Sequence, residues 1–258
     1  MAAKSTHQAD YTEEIVYERC CGIDVHKKSI TACLIADGKK EIRTYGTMTG
    51  EIESMMQWLE SAGCQAVGME STGVYWKPVY NIFEEGGMKS IVCNAQHIKS
   101  VPGRKTDVKD AEWIARIIRL GLVNPSYVPD KEDRELREIV RYRRSIVQER
   151  SRELNRIQDV LEGANVKLTS VISDLSDRSG ISILKAIIGG ETDPEKLYGV
   201  TTGKLKAGKE TLVAALKGTI GLHQQQMLKL QLGHIEELDK IIAEMDDVIK
   251  KKRKIENT

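Results

Sequence analysis

Aromatic residues are scarce in this chain. They make up 5% of its 258 residues, and Phe83 is the sole phenylalanine. The core is therefore predicted to be mostly aliphatic. Strong overall charge is absent too: the net charge is +1, which names no partner, so any basic footprint has to be local. No apolar run is long enough to span a bilayer, which excludes a transmembrane helix as an expectation and predicts no membrane partner. Met1 to Asp10 lack the apolar stretch of a secretory signal and read, to about residue 15, as a flexible tail. The cysteines, Cys20, Cys21, Cys33, Cys64 and Cys93, are odd in number and form no C-x-x-C pair. That argues against a zinc site and a disulfide framework, and for reduced core thiols in a cytoplasmic protein.

What is present begins with strand patterns. Tyr17 to Val25 reads as a strand and Ser29 to Ala36 as a second. Asp37-Gly38 is a hairpin signal, and Glu41 to Gly46 forms a third strand, completing an antiparallel meander. Thr49 to Ala62 is a predicted helix buried through Ile52, Met55, Met56 and Leu59. Gln65 to Glu70 is a fourth strand, Tyr75 to Glu85 a helix, Lys89 to Cys93 a fifth strand, and Ala95 to Ser100 a short helix. Strands four and five need crossover helices, which makes them parallel to strand one. The expectation is an α/β fold, a mixed sheet with helices on its faces.

After Pro125 and Pro129 the composition changes. Glu132 to Gly163 is one long helical pattern with Leu136, Ile139, Val140, Val147, Leu154, Ile157 and Leu161 on one stripe. It carries Arg141, Arg143, Arg144, Arg150, Arg152 and Arg156 against Glu149 and Glu153. Arginine suits phosphate recognition, and a solvated helix face is the competing reading. Short helices are expected over Lys167 to Ile188, broken at Gly180, and another starts at Asp193-Pro194. Lys204 to Lys209 is a basic patch before an apolar helix, Leu212 to Leu216. From Leu222 a last long helix carries Leu228, Ile235, Leu238, Ile242, Met245 and Ile249 at heptad positions, with Gln231 as a polar exception. Both a coiled coil and a helical hairpin with the first long helix fit it.

The acidic residues suggest chemistry. Trp113, Ile114, Ile117 and Ile118 mark an amphipathic helix with Thr106 or Asp107 as its N-cap. Asp107 and Asp110 stand three apart on one face of it. Asp24 and Glu70 end strands one and four, and at neighbouring strand ends their carboxylates emerge at one sheet edge, where open α/β sheets bind ligands. Four convergent carboxylates repel one another unless a cation intervenes. Two Mg2+ (or Mn2+) ions roughly 4 Å apart would serve a phosphodiester reaction. Arg104, Lys105 and Lys109 surround the helical pair, and His26 and Lys27 follow Asp24, each within reach of a phosphate. Tyr75 and Trp76, after Glu70, suit either base stacking or core packing. For the helical acids the competing reading is a first turn complementing the helix dipole.

Three segments carry a family likeness: Gly22-Ile23-Asp24-Val25-His26-Lys27, Met69-Glu70-Ser71-Thr72-Gly73-Val74-Tyr75-Trp76, and Gly103-Arg104-Lys105-Thr106-Asp107-Val108-Lys109-Asp110-Ala111. They resemble the motif blocks of the DEDD insertion-sequence transposases, the insertion sequence 110 family. The arginine-rich stretch 137–161 is also similar to that family, and the likeness runs from about Cys21 to the C-terminus. It implies a RuvC-like, ribonuclease-H-like domain over 16–130 and a helical, coiled-coil-like nucleic-acid-binding or dimerisation domain over 131–258. Asp24, Glu70, Asp107 and Asp110 would be the catalytic, metal-binding acids. DNA and a structured guide RNA would be the partners of a homodimer or larger assembly in the bacterial cytoplasm, at the nucleoid when bound to DNA. Family members carry a further C-terminal domain with a nucleophilic serine. No serine here matches it, so a truncated transposase is expected. The alternatives are a RuvC-like junction-resolving nuclease and a non-catalytic scaffold that binds structured RNA.

Overall fold

The computed structural model describes residues 15–101, 110–202 and 207–255. Two compact units divide the chain, Met1–Val128 and Pro129–Thr258. Among the described residues of the first unit, three antiparallel strands come first: β1 (Cys20–Val25), β2 (Ile30–Ala36) and β3 (Lys39–Tyr45). Asp37 and Gly38 join β2 to β3 with φ of 51° and 73°, as a tight primed hairpin turn demands. Then follow α1 (Thr49–Ser61), β4 (Ala66–Glu70), α2 (Trp76–Glu85), β5 (Ser90–Cys93), α3 (Ala95–Ser100) and α4 (Asp110–Arg119). The sheet order is β3-β2-β1-β4-β5, with β4 and β5 parallel to β1. This is the mixed α/β sheet expected from the strand spacing. β1 is shorter than the apolar run before it suggested. The N–H groups of Val16 and Tyr17 donate to the Arg119 carbonyl, and that of Arg19 to Gln65 Oε1, so this stretch bonds outside the sheet.

Strand alternation sends successive side chains to opposite faces. Cys21, Ile23, Val67 and Met69 meet Ile52, Met55 and Leu59 of α1 and Val79 and Phe83 of α2. Cys20, Cys33 and Cys93 meet Ala111, Ile114 and Ile118 of α4. The five cysteines are free thiols. Burial pushes Cys20 up to about 12 and Cys33, Cys64 and Cys93 up to about 11, so none is a ready nucleophile.

On the α4 face two glycines stand side by side. Gly22 of β1 and Gly68 of β4 are register partners. A Cβ on Gly22 would lie 2.2 Å from both the Ala111 carbonyl oxygen and the Ala115 nitrogen, and one on Gly68 would lie 2.5 Å from Ile118 Cγ1. The helix therefore rests in a trough that only glycine leaves open.

Among the described residues the second unit is helical: α5 (Lys131–Gly163), a 3-10 turn (Leu168–Ser170), α6 (Arg178–Ile188), α7 (Pro194–Gly199), α8 (Lys209–Ala215) and α9 (Leu222–Ile255). Asp130 caps α5 by accepting from the Asp133 N–H, and Asp193 caps α7 by accepting from that of Glu195. Charged pairs order the two long helices. Glu135 meets Lys252, Arg143 meets Asp246, and Arg150 meets Asp239. Partners fall along α9 as they rise along α5, so the two form an antiparallel hairpin. Ile157 and Leu161 share a core with Leu228, Leu232 and Ile235.

Three sequence-based details change. Val140, expected on the buried stripe, is 42% exposed, while Ile146 and Glu153 are buried on the seam. Gly180 does not break a helix. It lies in the first turn of α6, its N–H donates to Asp177 Oδ1, and a Cβ there would meet the Leu175 carbonyl oxygen at 2.2 Å. The helix predicted over Leu212 to Leu216 begins three residues earlier, at Lys209. The predicted tail, the N-cap at Thr106 or Asp107, and Lys204 and Lys206 of the basic patch lie outside the described residues, apart from Ile15 at the end of the tail.

The trough yields a stability test. Gly22→Ala is expected to cost about 3 kcal/mol, because backbone on both sides of the contact cannot yield as a flexible side chain would. Gly50, in the first turn of α1 with open space around it, is the control. Gly50→Ala is expected to be neutral or to stabilise by up to about 1 kcal/mol. Urea midpoints at unchanged slope would read both.

Candidate active site

Gly22 and Asp24 share one face of β1, two residues apart, and Gly68 and Glu70 do the same on β4. Because Gly22 is paired with Gly68, Asp24 and Glu70 come level one step further on, toward the strand ends. Asp110 precedes Ala111, the residue whose backbone sits on Gly22. The trough that seats α4 thus also sets three carboxylates around one sheet edge, on the side of α4.

The electrostatics agree with that placement. Burial raises the Asp24 carboxyl above the ordinary range. His26 opposes the rise, with Nε2 3.1 Å from Asp24 Oδ2. Asp110 and, less strongly, Glu70 add to it. Asp24 is 26% exposed and His26 68%. The Glu70 carboxylate accepts from Thr72 Oγ1. Among the described residues no three His, Cys, Asp or Glu side chains are placed to hold one metal ion, and Asp107 lies outside those residues, as do Arg104, Lys105 and Lys109. Lys27 is exposed beside His26.

Glu112, two residues after Asp110, contrasts with Asp24. It is 6% exposed. Lys40 Nζ donates to it at 2.9 Å and Arg116 Nη2 at 2.6 Å. The Lys40 hydrogen bond is the main reason its carboxyl falls below the usual range, with the charge of Arg116 helping against burial. This acid is neutralised and belongs to packing. A cleft of about 600 Å³ runs along α4, lined by Lys40, Glu112, Trp113, Arg116 and Arg119; Asp110 is not part of its lining. Trp76 packs into the core, edge-on to Tyr80 at 5.7 Å, whereas Tyr75 is 45% exposed.

The arginines predicted to contact nucleic acid fall into two groups. Arg143 binds Asp246 through two nitrogens and Arg150 binds Asp239 likewise. Arg156 meets the buried Glu153 at 2.5 Å. Arg141, Arg144 and Arg152 are exposed and form no ion pair among the described residues. The glycine trough and these cross-helix pairs left no recognisable signal in a single sequence. Both depend on partners far away in the chain.

A protein-family model described as a transposase, of the DEDD, insertion sequence 110 type, matches residues 21–166. Among solved structures, the chain is similar to Thermus thermophilus RuvC in complex with a Holliday junction substrate. The identity is 15% over 42% of this chain and 99% of that one, with a TM-score of 0.33. It is similar also to Thermus thermophilus RuvC in a second structure, at 15% identity and the same coverage, with a TM-score of 0.30. No curated protein matches it.

The raised Asp24 carboxyl has a direct thermodynamic consequence. Its native pKa lies above the unfolded one, so between the two values the native state binds more protons. Stability then falls as pH rises through that window, and the deficit persists at neutral pH. Asp24→Asn, melted at pH 7 in a chelator, is expected to unfold at a higher temperature than the parent. The gap should close on acidification below the ordinary aspartate range. A variant that melts lower at pH 7 would show that the charge is not disfavoured there.

Proposed function

The chain belongs to the DEDD transposase family of the insertion sequence 110 group, and from that membership we propose that its first unit is a divalent-metal-dependent catalytic domain acting on DNA phosphodiesters. The observation that carries the reading is the edge around which Asp24, Glu70 and Asp110 are set, with the Asp24 charge disfavoured by burial and by both neighbours. Asp107, three residues before Asp110 in sequence, completes the proposed set. The donors are all carboxylate oxygens, which fits a hard cation such as Mg2+ or Mn2+ in kind. Bound there, such ions would supply charge neutralisation and activation of the attacking oxygen.

The chain's own residues have separable roles in this reading. Asp24 and Glu70 stand on rigid strand ends and define the position of the edge. Asp110 is brought to them by α4, so the seating of that helix controls whether the set closes. His26 shares the Asp24 carboxylate and holds it in one orientation. Lys27, with Arg104, Lys105 and Lys109, would neutralise phosphates flanking the scissile bond. A structured RNA that selects the DNA, and pairing of subunits, are further parts of the proposal and rest on the family likeness alone. No helix among the described residues is long and apolar enough to cross a membrane.

The test uses the purified chain, branched and linear duplex DNA, and Mg2+ or Mn2+. Metal-dependent strand cutting is expected, reduced to the metal-free background by Asp24→Asn, Glu70→Gln or Asp110→Asn while the fold survives. Cutting that proceeds in chelator, or that these variants leave intact, would overturn the reading. Tight binding of structured RNA with no cutting in any metal would favour the scaffold alternative instead.

A further inference from the structure

We propose that the outward face of α5 is a docking ridge for the backbone of duplex DNA, formed by a row of uncompensated arginines. Arg137, Arg141, Arg144, Gln148, Arg152 and Asn155 recur every three or four residues and are all exposed. At 3.6 residues per turn they share one stripe, about 180° from the seam that faces α9. The seam is identified by its contacts: Ile146 and Ile157 are buried, Arg143 and Arg150 reach Asp246 and Asp239, and Glu153 lies 3.5 Å from His234.

The seam also sorts the charge. Glu135, Glu149 and Glu153 turn toward α9, where they meet Lys252 and His234. Among the described residues Arg137, Arg141, Arg144 and Arg152 form no ion pair, and from Arg134 to Arg156 no carboxylate lies on their stripe. A helix face that only needed solvation would carry mixed charge, because like charges at these spacings repel. Arg137 to Arg152 spans about 22 Å along the axis, roughly two thirds of a turn of B-form duplex. Guanidinium groups in such a row match the regular negative charge of a phosphate strand. Tyr142, the sole aromatic of α5, lies about a third of a turn away, so the stripe offers no platform for stacking unpaired bases. Its chemistry therefore suits a paired backbone read without regard to sequence. The choice of DNA rests on the function proposed above.

The experiment measures fluorescence anisotropy of the 258-residue chain on a labelled DNA duplex, and on an RNA duplex of matching sequence, from about 50 to 200 mM salt. The triple variant Arg141→Gln, Arg144→Gln, Arg152→Gln is expected to bind at least about tenfold more weakly. Its plot of log affinity against log salt should be flatter by about 0.9 for each arginine removed. Its melting temperature should stay unchanged. The pair Arg143→Gln, Arg150→Gln should melt lower yet keep the salt slope of the parent. The proposal is overturned if the triple variant retains parental affinity and slope, if the seam pair loses as much binding as the triple, if the parent binds no DNA, or if the triple loses RNA duplex but not DNA duplex. A parent that binds DNA through the stripe yet never cuts it would leave the ridge standing and remove the catalytic reading.

Discussion

At its closest approach to the sheet, helix α4 lies on bare backbone. Gly22 and Gly68, paired across β1 and β4, put no side chain of their own between the strands and the helix, and Ala111 and Ala115 keep the helix side small as well. Close packing of this kind is sensitive to a single methyl group, because there is no void into which it can go. Everything proposed for the acidic edge depends on that contact. Asp24 and Glu70 are carried one step beyond the glycines by the pleat, and Asp110 is carried to them by the residue that touches Gly22. A helix lifted off the trough would take Asp110 with it, leaving two strand-end carboxylates with no helical partner.

The same molecule treats charge in two ways, and the difference separates structure from candidate function. Glu112 is buried but receives Lys40 and Arg116, and Arg143 and Arg150 are each held by an aspartate of α9. These groups are satisfied, and removing Lys40 or Arg116 would weaken the neutralisation of the Glu112 charge in a buried place that disfavours it. Asp24 is the opposite case. Asp110 and Glu70 beside it are acids, its burial raises its pKa, and among the described residues His26 alone opposes the rise. The arginine row on α5 is a third arrangement, exposed and of one sign. In the function and the ridge proposed above, the acidic edge calls for a cation and the arginine row for an anion, which are complementary requirements of action on a phosphodiester.

Strands, helices and sheet order were largely legible in the sequence. The Asp37-Gly38 turn, the alternation in β2 and the glycine stops after α1 and α2 are local signals, and they fix element type and, through the crossover rule, strand direction. The candidate acids were legible as residues, because Asp24 and Glu70 fall at strand ends and Asp110 opens a helix. The shared edge of Asp24 and Glu70 was legible too, through the crossover rule, but the contact that brings Asp110 to it was not, since it depends on Gly22 meeting Ala111 across nearly ninety positions of chain. Gly180 misled for a related reason. Glycine commonly ends a helix, but here it is needed where the Leu175 carbonyl crowds the first turn of α6.

By itself, then, the sequence determined the periodicities, the turns, the family and the residue types available for chemistry, all of which are set by neighbours a few positions apart. Only the tertiary structure decided which charges are cancelled and which are left over. In α5 the six predicted arginines look alike in sequence. Those at Arg143 and Arg150 are consumed by Asp246 and Asp239, while Arg141, Arg144 and Arg152 turn away. The physical reason is that a charge is free or paired according to what the far end of the chain brings within about 4 Å of it, and no local pattern encodes that.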